Sequence, residues 1–133
     1  MSKIVVIVEK DKNGYGIFTT NTDSVIIGSG RTVKEAKEDL MNTYNEIVEF
    51  YNDSGLPVPD ELKNPTFEYT YDISALFDEF KFLNVSKFAE SVGISPSLMR
   101  HYKSGGTYIS AKQAKKIEAG LHRIARELLA VSL

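Results

Sequence analysis

The chain is 133 residues long, 42% hydrophobic and free of cysteine, with 16 Lys+Arg against 18 Asp+Glu. This is an ordinary globular composition that excludes disulfides and thiolate metal sites and suits a reducing compartment, the cytoplasm. No apolar run approaches the ~20 residues of a membrane span, and the opening Met-Ser-Lys-Ile-Val-Val-Ile-Val-Glu has an apolar core shorter than the ~7 residues of a secretory signal, so no membrane partner is expected.

In chain order, Ile4-Val5-Val6-Ile7-Val8 is a continuous β-branched run that predicts a first strand. Asp11-Lys12-Asn13-Gly14 supplies turn chemistry before a second strand, Tyr15 to Thr19. Val25-Ile26-Ile27 reads as a third strand, ended by Gly28-Ser29-Gly30. A strand apolar on both faces needs cover on both, and one long helix covers only one of them, which leaves the other sheet face for a partner. That helix opens on a capping box, Thr32 with Glu35, and carries Val33, Ala36, Leu40, Tyr44, Ile47, Val48 and Tyr51 on one face before Gly55 closes it. Leu56-Pro57-Val58-Pro59 favours an extended or turning segment. Phe67-Glu68-Tyr69-Thr70-Tyr71 then alternates strictly, as a fourth strand with its aromatics packed on the helix.

From Asp72 the period returns to that of a helix, with Ile73, Leu76, Phe77, Phe80 and Leu83 on one face. Asn84 to Gly105 then reads as two short helices around a Gly93-Ile94-Ser95 turn, the pattern of a DNA-binding helix-turn-helix. Asn84 caps the first helix and Ser95 the second, with Pro96 at the first helical position, where a missing N–H costs nothing. Phe88, Ala89, Val92, Ile94, Met99 and Tyr102 form the apolar set between the two helices. Ser110 caps a final helix whose stripe Ile117, Leu121, Ile124 and Leu128 packs on the motif helices or pairs with a second chain; the spacing leaves both uses open.

The net charge of -2 conceals a split. Residues 84–133 carry 8 Lys+Arg and 3 Asp+Glu, whereas residues 1–83 carry 8 and 15. Two modules with different partners are expected, the basic one suited to phosphates and the acidic one to a basic protein or to water. The candidate DNA-binding residues are Ser95, Pro96, Ser97, Arg100, His101, Lys103 and Ser104. Ser97, Arg100 and His101, with the edge of Pro96, are placed to face the major groove, where arginine makes two hydrogen bonds to a guanine edge. Lys103 and Ser104, near the helix end, meet phosphates.

Gly30-Arg31-Thr32-Val33-Lys34-Glu35-Ala36, after a hairpin and a short strand and before a long helix and Gly55-Leu56-Pro57-Val58-Pro59, resembles the HicB-type antitoxin domain over roughly residues 3–72. Residues 73–133 resemble the Cro/repressor-type domain that some members carry at the C-terminus. The resemblance implies an α+β chain: a small ββ(β)αβ partial ribonuclease-H-like domain, 1–71, followed by an all-α helix-turn-helix domain, 72–133. It also implies neutralisation of a small basic RNA-cleaving toxin of the HicA type, with autorepression through operator DNA. Members commonly have a Pro-Asp-Leu-Pro-Gly-Cys-like turn before the third strand, where this chain has Asn21-Thr22-Asp23-Ser24-Val25. A regulator whose N-terminal domain only dimerises or senses a ligand is the alternative reading.

No enzyme is expected. A two-metal nuclease needs three or four convergent carboxylates, but Glu9 and Asp11 end the first strand, Asp23 lies in a loop, and Glu35, Glu38, Glu46 and Glu49 belong to a helix whose apolar face is already occupied. His122 reads as a surface residue, and His101 has no second metal ligand near it in sequence. The glycines of Gly28-Ser29-Gly30 lack a full nucleotide fingerprint and read as a strand-to-helix turn. Neither metal nor cofactor is expected, and a motif of this kind acts as a homodimer or a higher oligomer.

Overall fold

The β-branched run near the N-terminus forms an inner strand of a sheet. In the computed structural model, which describes residues 2–133, β1 (Lys3–Asp11) turns through Asn13, whose N–H donates to Asp11 Oδ1 at 2.9 Å, into antiparallel β2 (Gly14–Thr19). A short β3 (Ile27–Gly30) pairs antiparallel with β2, and β4 (Thr66–Tyr71) pairs parallel with β1. The sheet is therefore mixed, in the order β3-β2-β1-β4. Together with five α-helices among the described residues it makes the chain mixed α and β.

β3 lies later than the apolar pattern predicts. Thr19 holds Ile26 at both ends, with the Ile26 N–H on its hydroxyl at 2.9 Å and its own N–H on the Ile26 carbonyl at 3.0 Å. The strand proper then runs through Gly28-Ser29-Gly30 instead of stopping there. Close approach is the reason. A Cβ on Gly28 would sit 2.5 Å from the Ala36 carbonyl oxygen, and one on Gly30 2.5 Å from Glu35 Cβ. These glycines let the helix lie directly against the strand.

That helix, α1 (Val33–Ser54), starts where Thr32 Oγ1 accepts the Glu35 N–H at 3.1 Å. The Glu35 carboxylate reaches back to the Arg31 N–H at 2.9 Å, one residue before the cap. Val33, Ala36 and Leu40 are buried against Ile4, Val6, Val8 and Ile17, while Tyr44, Ile47 and Tyr51 pack around them. Each fully buried Val, Leu or Ile side chain here contributes about 1.5–3 kcal/mol. The β4 aromatics pack on the helix face as expected: the Phe67 ring meets Tyr44 edge-on at 5.5 Å. The Tyr44 hydroxyl donates to the Leu62 carbonyl at 2.6 Å, tying down a 3-10 turn at Asp60–Leu62. On the opposite sheet face, Val5, Ile7 and Phe18 are half-buried and Ile27 is exposed.

The next helix, α2 (Ile73–Glu79), belongs with this sheet. Asp72 Oδ1 accepts the Ala75 N–H at 2.7 Å, and Ala75 is buried in the same core cluster. The chain accordingly divides into compact units Met1–Glu79 and Phe80–Leu133, a boundary beyond the 71/72 division expected from sequence. α2 also ends before Phe80 and Leu83, where the Leu83 N–H closes a turn on the Phe80 carbonyl. In the second unit α3 (Val85–Val92), α4 (Pro96–Ser104) and α5 (Ala111–Leu129) follow. Among the described residues no helix is long and apolar enough to cross a membrane.

Tyr15 anchors α2 by donating its hydroxyl to the Asp78 carboxylate. Burial first, and then this hydrogen bond, hold the phenol protonated far above its ordinary range; burial also raises Tyr44, Tyr69 and Tyr71. An unfolded tyrosine releases its proton near pH 10, so above that pH the folded state binds more protons than the unfolded one. Stability must fall as pH rises through that window. We expect the urea midpoint to drop from about pH 9.5 upward, and to drop less in Tyr15→Phe. Parallel declines in the two proteins would refute the assignment.

Candidate nucleic-acid interface

α3 and α4 are short helices whose ends are all fixed locally. Asn84 Oδ1 accepts the Lys87 N–H at 2.9 Å and Ser95 Oγ accepts the Leu98 N–H at 3.1 Å, with Pro96 in the first turn. Between them Gly93 adopts φ 75°, a left-handed conformation that lets the chain reverse within Gly93-Ile94-Ser95. The apolar set is as predicted: Phe88, Ala89, Ile94, Met99 and Tyr102 are buried and Val92 is half-buried.

α5 supports α3 from behind. Ser110 Oγ accepts the Gln113 N–H at 3.1 Å, and Ile117 and Gly120 are buried. Gly120 is a contact that the aliphatic stripe did not reveal, because a Cβ there would overlap Val92 Cγ1. Of the stripe itself, Ile117 packs inward, Leu121 and Ile124 are half-buried and Leu128 is 60% exposed. Two cations on α5 are also structural. Lys116 Nζ donates to the Gly93 carbonyl at 3.3 Å and Arg123 to the Ser91 carbonyl at 3.2 Å, satisfying oxygens that the end of α3 leaves unpaired.

The remaining polar groups of α4 form its outer face. Ser97, Arg100, His101 and Ser104 recur at intervals of three, one and three, all exposed, on the side away from buried Met99 and Tyr102. Lys103 and Ser95 are exposed and Pro96 half-buried. Several of these groups already have internal partners. Arg100 Nη1 donates to Ser86 Oγ on α3 at 3.2 Å, which fixes the guanidinium across both helices. The Ser104 hydroxyl and the Gly106 N–H both donate to the His101 carbonyl at 3.0 Å, closing the helix end. Ser95 uses its oxygen as the cap. Sequence reasoning missed Ser86, whose link to Arg100 spans fourteen positions, and fully exposed Tyr108 in the loop after α4.

Residues 80–133 carry 9 Lys+Arg and 3 Asp+Glu, so the unit that holds this face has a positive balance of 6. Among the described residues no three His, Asp or Glu side chains gather where they could hold a metal ion. Glu9 and Asp11 stand exposed at the end of β1, and His122 is exposed on α5. Compared with family models, curated proteins and solved structures, the chain finds no match.

Proposed function

We propose that the chain is an antitoxin and autorepressor: residues 80–133 bind operator DNA as a helix-turn-helix, and the N-terminal unit, a partial ribonuclease-H-like fold, blocks a small basic RNA-cleaving toxin of the HicA type by direct contact. The observation that carries the DNA half is the exposed Ser97, Arg100 and His101 face on a helix capped at both ends, in a unit with three cations for every anion. A rigid rod of this width fits the major groove, and its cations displace the counterions condensed on phosphate. The acidic balance of residues 1–79, 7 Lys+Arg against 15 Asp+Glu, supports the toxin half. The protein acts by binding and not by catalysis, in the cytoplasm. Operator binding uses a homodimer or a higher oligomer, whose two rods meet half-sites about 34–36 Å apart.

Arg100→Ala is expected to lose about 1–3 kcal/mol of operator affinity and to relax preference at one base pair. Lys103→Ala is expected to weaken all duplexes alike and to reduce the salt slope by about one. Mobility shifts on operator and random duplexes across a salt series separate the two; equal losses on both duplexes for both variants would remove the assignments. Co-expression with the product of the neighbouring reading frame tests the other half, since an antitoxin must co-purify with a short basic protein and restore growth. The second reading, a regulator that only dimerises or senses a ligand, draws on Asn21–Val25, which lacks the proline and cysteine usual in that turn.

A further inference from the structure

The N-terminal unit contains a groove of about 380 Å³ between the second half of α1, the loop before β3 and the turn at Asp60–Leu62. Its floor is apolar: Ile26 and Leu62 are buried, Ile47 and Tyr51 half-buried. Phe50 stands on its lip at 61% exposure, a large aromatic surface left to solvent. Charge on the rim has one sign. Asp23, Glu46 and Glu61 line the groove, and among the described residues no Lys, Arg or His does. Among the described residues none of these carboxylates is ion-paired.

The walls are fixed. Both Glu61 oxygens accept the Asp23 N–H, at 3.1 and 3.2 Å, which joins the loop to the turn and holds one carboxylate at the rim. Thr22 Oγ1 lies 2.6 Å from Thr19 Oγ1 and donates to the Ser24 carbonyl at 2.7 Å, so the loop has a defined path. A preformed apolar trough with an uncompensated anionic rim attracts a surface that carries an aliphatic or aromatic anchor between lysines or arginines. A neutral apolar ligand would leave the three carboxylates without counter-ions, and nucleic acid would be repelled by them.

We infer that this groove is the docking site for a basic protein, which inserts an apolar side chain beside Phe50 and sets Lys or Arg groups against Asp23, Glu46 and Glu61. The inference rests on the antitoxin reading and adds where the partner sits. Charge steers the encounter, so association slows as salt rises, while the Phe50 contact governs how long the complex lasts.

The test uses the full chain, with the purified product of the adjacent reading frame as probe. Glu46→Lys and Phe50→Ser change exposed positions, and retained operator binding together with an unchanged melting profile shows that both variants fold. Each is expected to weaken the probe's binding about 30-fold, the change typical of a hot-spot residue, with Glu46→Lys also flattening the salt dependence. Wild-type binding that neither variant alters would overturn the groove and leave the antitoxin reading standing. A probe that wild type does not bind, or that is not basic, would overturn both. Sedimentation supplies the last outcome: a wild-type self-association lost in Glu46→Lys would make a second copy the occupant and defeat the proposal.

Discussion

Alanine at position 28 is expected to unfold the N-terminal unit well below the melting temperature of the wild type. The added Cβ would lie 2.5 Å from the Ala36 carbonyl oxygen and 2.7 Å from the Leu40 N and Cβ. Most of these atoms are α1 backbone, which has no rotamer to change. Relief requires the helix to lift from β3, and lifting it opens the contacts of Val33, Ala36 and Leu40 with the sheet. Removing a glycine from the unfolded chain returns about 0.4–1 kcal/mol, less than the overpacking penalty of about 3 kcal/mol. The net loss corresponds to a fall of roughly 10–20 °C in a unit of this size. Gly16→Ala is the control, because the nearest atom to its added Cβ is Asp11 Oδ2 at 3.9 Å. Circular-dichroism melts that coincide for the two variants would show that α1 does not need this approach.

Met99→Ala is the corresponding lesion in the second unit. Met99 is fully buried on the inner face of α4, in a unit whose other buried residues include Phe88, Ala89, Ile94 and Tyr102. Truncation removes three heavy atoms from a packed site and costs about 2–5 kcal/mol, a large share of what a unit of three helices can hold. The expected outcome is loss of operator binding together with loss of amide protection across residues 85–104. Protection in β1 and β2 should survive, since none of their core contacts involves Met99. Hydrogen exchange read by mass spectrometry distinguishes this from a global collapse. Operator affinity unchanged by the substitution would mean that the outer face of α4 does not depend on its inner one.

Much of this architecture was legible because one side of each element is apolar and its ends carry specific caps. Thr32, Asn84, Ser95 and Ser110 could each be named as caps from residue type and spacing, and each accepts the hydrogen bond expected of it. What escaped depends on the absence of side chains or on distant pairing. Gly28 and Gly30 looked like a strand terminator because glycine is read as a breaker, although their role is to admit α1. Gly120 carries no hydrophobic signal, so the α3–α5 contact could be placed only through Ile117. The apolar face of α2 read from sequence as support for the helix-turn-helix that follows it, whereas Ala75 packs into the sheet core. Lys116 and Arg123 counted as free positive charge until their bonds to the carbonyls of Gly93 and Ser91 were visible.

The parallel pairing of β1 with β4 joins residues more than sixty positions apart, such as Lys3 and Thr66. Such a register forms only after a long segment has closed on itself, whereas α3 and α4 pair with each other within about twenty residues and α5 returns to α3 over 23 and 32 residues, at Lys116–Gly93 and Arg123–Ser91. During synthesis the first strand therefore waits, its edge amides open to any passing backbone, until Thr66–Tyr71 has left the ribosome.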